Sequence, residues 1–217
     1  EYLKILHHGG NYITVENGVD TDHFRPDPSA ERNNTLLWVG GFGYRPNKEA
    51  ISFFLEWIYP LIKQQKPETR LELIGTDVTE HMKRIADRDS SINFLGYVDD
   101  PLPYIQKSSI FIVPIRSGSG TRLKTLEAMA AGKAIVTTTI GCEGISGKHG
   151  EHYMIADAPE EFAGHVLKLL DDNIFVDIIG NNARQLACEK YDWKIIVEKL
   201  EKKYLDLSSR GKGKRIY

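Results

Sequence analysis

The 217-residue chain is predicted to be an α/β protein, a doubly wound and mostly parallel six-stranded Rossmann-like sheet with flanking helices. Three observations predict this fold. Six short apolar runs recur along the chain, they lack the in–out alternation of half-exposed strands, and helix-like segments separate them. Parallel strands covered on both faces read as such unalternating runs, and strand–helix alternation is the pattern of a doubly wound sheet.

The strands are expected at residues 36–39, 71–74, 92–95, 110–113, 134–137 and 153–155, most of them stopped by Gly, Pro or Asp. After the first strand, residues 47–66 carry Ile51, Phe54, Leu55, Ile58, Leu61 and Ile62 at helical spacing. Shorter helices are expected at 77–89 and 102–107. The C-terminal third reads as helical over 160–170, 174–190 and 193–207, with Asp192 as the N-cap of the last helix. Residues 1–26 read as a linker and lead-in segment, 27–207 as the ligand-binding domain, and 208–217 as a basic, disordered tail.

A composition of 41% hydrophobic and 27% charged residues is that of an ordinary globular protein, and a net charge of −2 argues against a nucleic-acid surface. Two cysteines, Cys142 and Cys188, fit a reduced compartment, so a cytoplasmic location is expected. No apolar run approaches the roughly 20 residues that span a bilayer. The basic cluster Arg210, Lys212, Lys214 and Arg215 is read as solvated, with peripheral attraction to an anionic membrane as the alternative.

The chemistry is concentrated in residues 114–136, an apolar strand end, a glycine/serine turn, a short helix and another apolar strand. Such a turn feeding a helix N-terminus is an anion site, because free N–H groups and the positive dipole end face the ligand. Ser117, Gly118, Ser119, Gly120 and Thr121 form the turn: glycines let backbone approach a ligand, and hydroxyls donate to phosphate oxygens or cap the helix. Arg122 and Lys124 are unfavourable beside a positive helix end unless an anion is bound there. The pattern reads as a diphosphate site. Glu127 lies roughly 9 Å along the helix from Thr121 at about 1.5 Å per residue, in reach of a ribose diol. The alternative for Lys124 and Glu127 is an ion pair at i, i+3.

The segment resembles the donor-nucleotide motif of retaining, family-4-like glycosyltransferases of the GT-B fold (glycosyl transferases group 1), in which Glu-x7-Glu runs into E-A-M-A-x-G-x-P-V-V. Glu127, Ala128, Met129, Ala130, Gly132, Ile135 and Val136 match, with Ala134 in place of the usual proline. Ser119 stands where the first glutamate, a contact to the transferred sugar, is usual. The resemblance assigns Glu127 to the ribose. A second match, Val15, Glu16, Asn17, Gly18, Val19, Asp20, Phe24 and Pro26, is to the N-G-V-D-x-x-x-F-x-P signature that follows the interdomain linker. From the residues alone, Asn17-Gly18 is a turn with positive φ expected. The aromatic-Trp pair Tyr191 and Trp193 resembles the start of the family's final helix. The chain opens on Glu1, and the resemblance implies a missing N-terminal domain that holds the acceptor.

Gly40 and Gly41 open a loop that is not a G-x-G-x-x-G fingerprint and lacks its acidic partner. In the resembling family this loop is V-G-R-x-x-x-x-K, whose Arg and Lys hold the donor phosphates. Here Gly41 stands at the Arg position, and the Lys falls at or next to Asn47 and Lys48, which implies that Arg122 and Lys124 take over the clamp. By the same resemblance Gly75 ends the second strand at the donor, and Tyr97 and Val98 border the nucleobase; Tyr97 reads equally as a surface aromatic. Residues 141–148 are not a Walker motif, and Cys142, His149 and His152 match no familiar metal spacing. His7 and His8 are read as near-surface linker residues.

The expected function is therefore the donor-binding domain of a retaining glycosyltransferase that moves a hexose or related sugar from a nucleoside diphosphate to a glycan or lipid acceptor. The nucleotide sugar is its substrate and no metal is expected. A non-catalytic nucleotide-sugar-binding module, or a GT-B epimerase or phosphorylase, is the alternative.

Overall fold

The computed structural model describes residues 13–30 and 33–211. Six strands pair in parallel in the order β3-β2-β1-β4-β5-β6: β1 Thr35–Val39, β2 Arg70–Ile74, β3 Ile92–Gly96, β4 Ile110–Val113, β5 Ala134–Thr137 and β6 Met154–Ile155. Each expected strand is present, with its ends within one residue of those expected. Between and after them lie α1 Arg45–Phe53, α2 Tyr59–Gln65, α3 Glu80–Ala86, α4 Leu102–Lys107, α5 Leu123–Ala130, α6 Pro159–Asp171, α7 Asn173–Leu186 and α8 Trp193–Gly211. The sheet is covered on both faces, so Leu36, Leu37, Trp38, Ile110, Phe111, Ile112, Ile135 and Val136 are wholly inaccessible to water. Each fully buried side chain of this size contributes about 1.5–3 kcal/mol, which makes the central strands the anchor for everything at their ends.

Several helix boundaries differ from those expected, for identifiable reasons. The helix expected over 47–66 starts at Arg45 and is interrupted by a π turn, Phe54–Ile58. Pro60 has no N–H to bond four residues back and its ring crowds that carbonyl, so α2 restarts around it. The helix expected over 77–89 begins only at Glu80, because Asp77 sits at φ 65° and Thr79 caps the first turn by accepting from Met82 N at 3.3 Å. α7 passes into a second π turn, Ala187–Tyr191, and Asp192 then accepts from Lys194 N at 2.7 Å, capping α8 as expected. That last helix runs on to Gly211, past the expected end at Leu207. His7, His8, Lys212, Lys214 and Arg215 lie outside the described residues. No helix among the described residues is long and apolar enough to cross a membrane.

The positive φ expected at Asn17-Gly18 is not found. Gly18 is required for a different reason: a Cβ there would lie 2.6 Å from the Trp193 ring. The segment is pinned to the start of α8 by Val19 N→Tyr191 O (2.8 Å), Trp193 N→Val19 O (3.2 Å) and a bond from Thr21 Oγ1 to Asp192. Arg184 of α7 completes the attachment: its Nη1 donates to the carbonyls of Thr21 (2.9 Å), Phe24 (2.7 Å) and Ala130 (2.6 Å).

Strand order makes one place special. From β1 the chain winds outward to β2 and β3, and from β4 it winds the other way to β5 and β6. The loops leaving the C-terminal ends of β1 and β4 therefore diverge, and the crevice between them is where doubly wound sheets bind ligands.

Candidate functional site

On one side of the crevice, β1 delivers Trp38 and then the loop 40–44. Trp38 is fully buried, with Nε1 donating to the Gly40 carbonyl at 3.1 Å. The loop is zipped to its neighbours by Gly40 N→Ile74 O and Phe42 N→Thr76 O, both 2.8 Å. Asn47, in the first turn of α1, donates from Nδ2 to Gly41 O at 2.9 Å, so its amide faces the crevice.

On the other side, Pro114 and Ile115 are still buried, and the chain then emerges as the exposed Gly118-Ser119-Gly120. Gly118 and Gly120 stand at φ +94° and +89°, conformations that a side chain would strain. Arg122 occupies the N-cap of α5 in extended geometry without capping it through its side chain. Instead its guanidinium curls back over the turn, from Nη1 to Ser119 O at 2.9 Å and from Nη2 to Ser117 O at 3.5 Å, and its buried Nε has no partner. Ser117 Oγ donates to Glu49 Oε2 at 2.9 Å, while Arg45 Nε donates to Oε1 at 2.6 Å. These two bonds, led by that from Arg45, hold the Glu49 carboxyl below the usual range, and the one from Ser117 links α1 to the turn across the crevice.

Lys124 crosses the same gap from α5. Its Nζ lies 3.5 Å from the centre of the Trp38 ring and 3.2 Å from Asn47 Oδ1. A Cβ on Gly40 would overlap it, so the glycine leaves room for the ammonium group. Among the described residues no ion pair joins Lys124 to Glu127. Burial pushes the Lys124 amine down to about 7, Glu127 opposes that shift, and Arg122 adds to it. Glu127, one turn further along α5, is half-buried. Burial raises its carboxyl above the usual range, against the pull of Lys124 and His23. His23 in turn lies 3.3 Å from Asp100.

The structure thus brings Gly40, Gly41, Ser117 to Thr121, Arg122, Lys124 and Glu127 to one crevice. Gly75 lies directly beneath this loop: a Cβ on it would overlap the Gly40 carbonyl, so it sets the packing of the loops. Tyr97 is 74% exposed beside half-buried Val98 at the end of β3. Lys48 is exposed and lines an outer groove with Glu49, Ser52, Phe53, Trp57 and His81. Residues 141–147 pack rather than gape: Thr125 Oγ1 donates to Gly141 O at 3.1 Å, and Gly144 abuts Thr121. No three His, Cys, Asp or Glu side chains gather as metal ligands among the described residues. Trp38 and Glu49 escaped the sequence reading. A tryptophan one residue before the end of a central strand, at the edge where ligands bind, was the available signal for the first. Glu49 shows none beyond its place in the first helix after β1.

Residues 33–172 match the family model of glycosyl transferases group 1. Over 218 residues the chain is 24% identical to the phosphatidyl-myo-inositol mannosyltransferase of Mycobacterium tuberculosis, covering 94% of this chain and 56% of that protein. The chain spans about half the length of the curated relatives it matches. Among solved structures, HepE of Anabaena in complex with UDP and glucose superposes with a TM-score of 0.73 at 16% identity, over 90% of this chain and 58% of that one. The C-terminal domain of a glycosyl transferase group 1 family protein, LpcC of Francisella tularensis, superposes with a TM-score of 0.67 at 18% identity. That match covers 81% of this chain and the whole of the other.

Proposed function

Because the chain belongs to the glycosyl transferases group 1, we propose that it is the donor-binding domain of a retaining glycosyltransferase, with the nucleoside diphosphate sugar seated in the β1/β4 crevice. The observation that carries this reading is α5 itself, which presents a glycine turn and two cations at its N-terminal end and an inward carboxylate one turn later. The diphosphate fits the free N–H groups of the turn, Arg122 and Lys124. Glu127 accepts from the ribose hydroxyls, and Val98 with the β3 end borders the base. The HepE complex with UDP and glucose supports the ligand class.

In transfer, the bond from the anomeric carbon to the diphosphate breaks and the leaving group takes the electron pair. Donors fixed in advance at its oxygens stabilise that developing charge without reorganising, which is where such sites gain most of their rate. This assigns charge stabilisation to the chain's own cations and calls for no metal. The acceptor, a glycan or lipid hydroxyl, is held by residues outside this chain.

Calorimetry with UDP, GDP and ADP, with and without magnesium, checks the reading. At least one should bind at millimolar concentration or below, equally well without the metal. Glu127→Gln should weaken that nucleotide by about 1.5–3 kcal/mol while leaving inorganic pyrophosphate unaffected. Silence with all three nucleotides would sink the site, and equal loss for both ligands would make Glu127 a support of the turn.

A further inference from the structure

We propose that ligand binding in the crevice takes up a proton at Lys124, whose amine is packed against the Trp38 ring with few acceptors around it and is held as an ammonium once a diphosphate arrives. The inference rests on the reading of the crevice as a nucleoside diphosphate site.

The geometry is that of an amine with little to hold its charge. An ammonium has three protons to donate, and among the described residues Lys124 finds one neutral acceptor, Asn47 Oδ1 at 3.2 Å. β1 offers it the Trp38 ring, and the loop after β1 meets it with the backbone of Gly40. Among the described residues, the charged groups that act on it lie on its own helix and its N-cap: Glu127, which favours the ammonium, and Arg122, which repels it. Lys124 also sits in the first turn of α5, at the positive end of the dipole, with no acidic residue in that turn. The ring face of Trp38 favours the cation, but loss of water is the larger effect and lowers the amine to about 7. Near neutral pH, proton-bound and proton-free forms therefore coexist.

A bound diphosphate brings negative oxygens to this helix end, and an opposite charge within about 4–6 Å raises an amine's pKa. The site's second positive charge then appears together with its ligand. By linkage, affinity is greatest where the proton is already present and falls as pH rises above about 7, approaching tenfold per pH unit until the pKa of the bound state is reached.

Calorimetry at pH 8 in HEPES and in Tris, buffers of different ionisation enthalpy, counts the protons taken up with UDP, GDP or ADP. At that pH the terminal phosphate, with its last pKa at about 6, is already ionised. The native chain should take up close to one proton per nucleotide bound. Lys124→Arg, which keeps a permanent charge, should bind with no uptake and with little pH dependence. Binding without uptake in the native chain, or equal uptake in Lys124→Arg, overturns the proposal; absence of binding by every nucleotide overturns the reading of the crevice instead. If Lys124→Arg does not fold, carbon NMR of reductively dimethylated native protein provides the check. One lysine should titrate near pH 7 and move upward with nucleotide, and a set of lysines all titrating at ordinary values refutes the idea.

Discussion

Helix α5 joins two regions of opposite character. At its C-terminal end Ala128, Met129 and Ala130 are wholly buried, Gly132 closes the helix at φ +68°, and the Gly132 carbonyl packs directly on Gly180 of α7. At its N-terminal end the chain is exposed, two glycines hold left-handed conformations, a buried guanidinium nitrogen lacks a partner and an amine is desolvated. The C-terminal end is closed by Gly132 N→Met129 O, Lys133 N→Ala128 O and the bond from Arg184 to Ala130 O. The other leaves donors and charge unspent, in the form a phosphate would use. Much of the resemblance to glycosyltransferases rests on the closed end, so the most recognisable residues are scaffold, and the chemistry sits in the turn that departs from the common pattern.

The contrast can be broken from either side. The largest effect expected is that of Gly180→Ala, whose methyl group would overlap the Gly132 carbonyl. Urea unfolding should show a loss of about 2–4 kcal/mol, while the protein that remains folded binds UDP unchanged. Lost affinity at full stability would mean that the buried end takes part in binding.

Arg122→Ala should do the reverse: nucleotide affinity falls by about 1.5–3 kcal/mol in a calorimetric titration. The unfolding midpoint should hold or rise, since removing a cation from the positive helix end relieves about 0.3–1 kcal/mol. A destabilised variant with native affinity would make Arg122 a strut for the turn. The smallest effect is expected at Lys48, exposed on the outer groove, where alanine should change both stability and affinity by less than about 0.5 kcal/mol. A clear loss of affinity there would return Lys48 to the clamp.

Sheet, strand limits and most helices were legible because fully buried parallel strands leave unbroken runs such as Ile110–Val113 that no exposed segment imitates. Ends were less legible where one residue overrode periodicity: Pro60 inside an apolar helix pattern, Asp77 in a left-handed conformation. At the site, sequence reasoning located the turn and α5, since a short local motif folds locally. It missed Trp38 and Glu49, whose roles exist only because the sheet order sets β1 beside β4, a relation between residues about 70 positions apart that periodicity does not encode. Gly18 illustrates the remaining gap, a glycine read as a backbone device that is required by a distant ring.

The grip of Arg184 on Thr21, Phe24 and Ala130 has a mechanical meaning. The carbonyl of Ala130 belongs to the last turn of α5, which lacks helical partners, and the guanidinium that satisfies it also fastens the chain just after Val19. A pull or twist on the lead-in segment is therefore transmitted to the base of α5. From there a stiff rod about 12 Å long, eight residues at about 1.5 Å each, carries it to Arg122 and Lys124. The rivet makes α5 a lever, with its handle at the lead-in segment and its tip at the glycine turn.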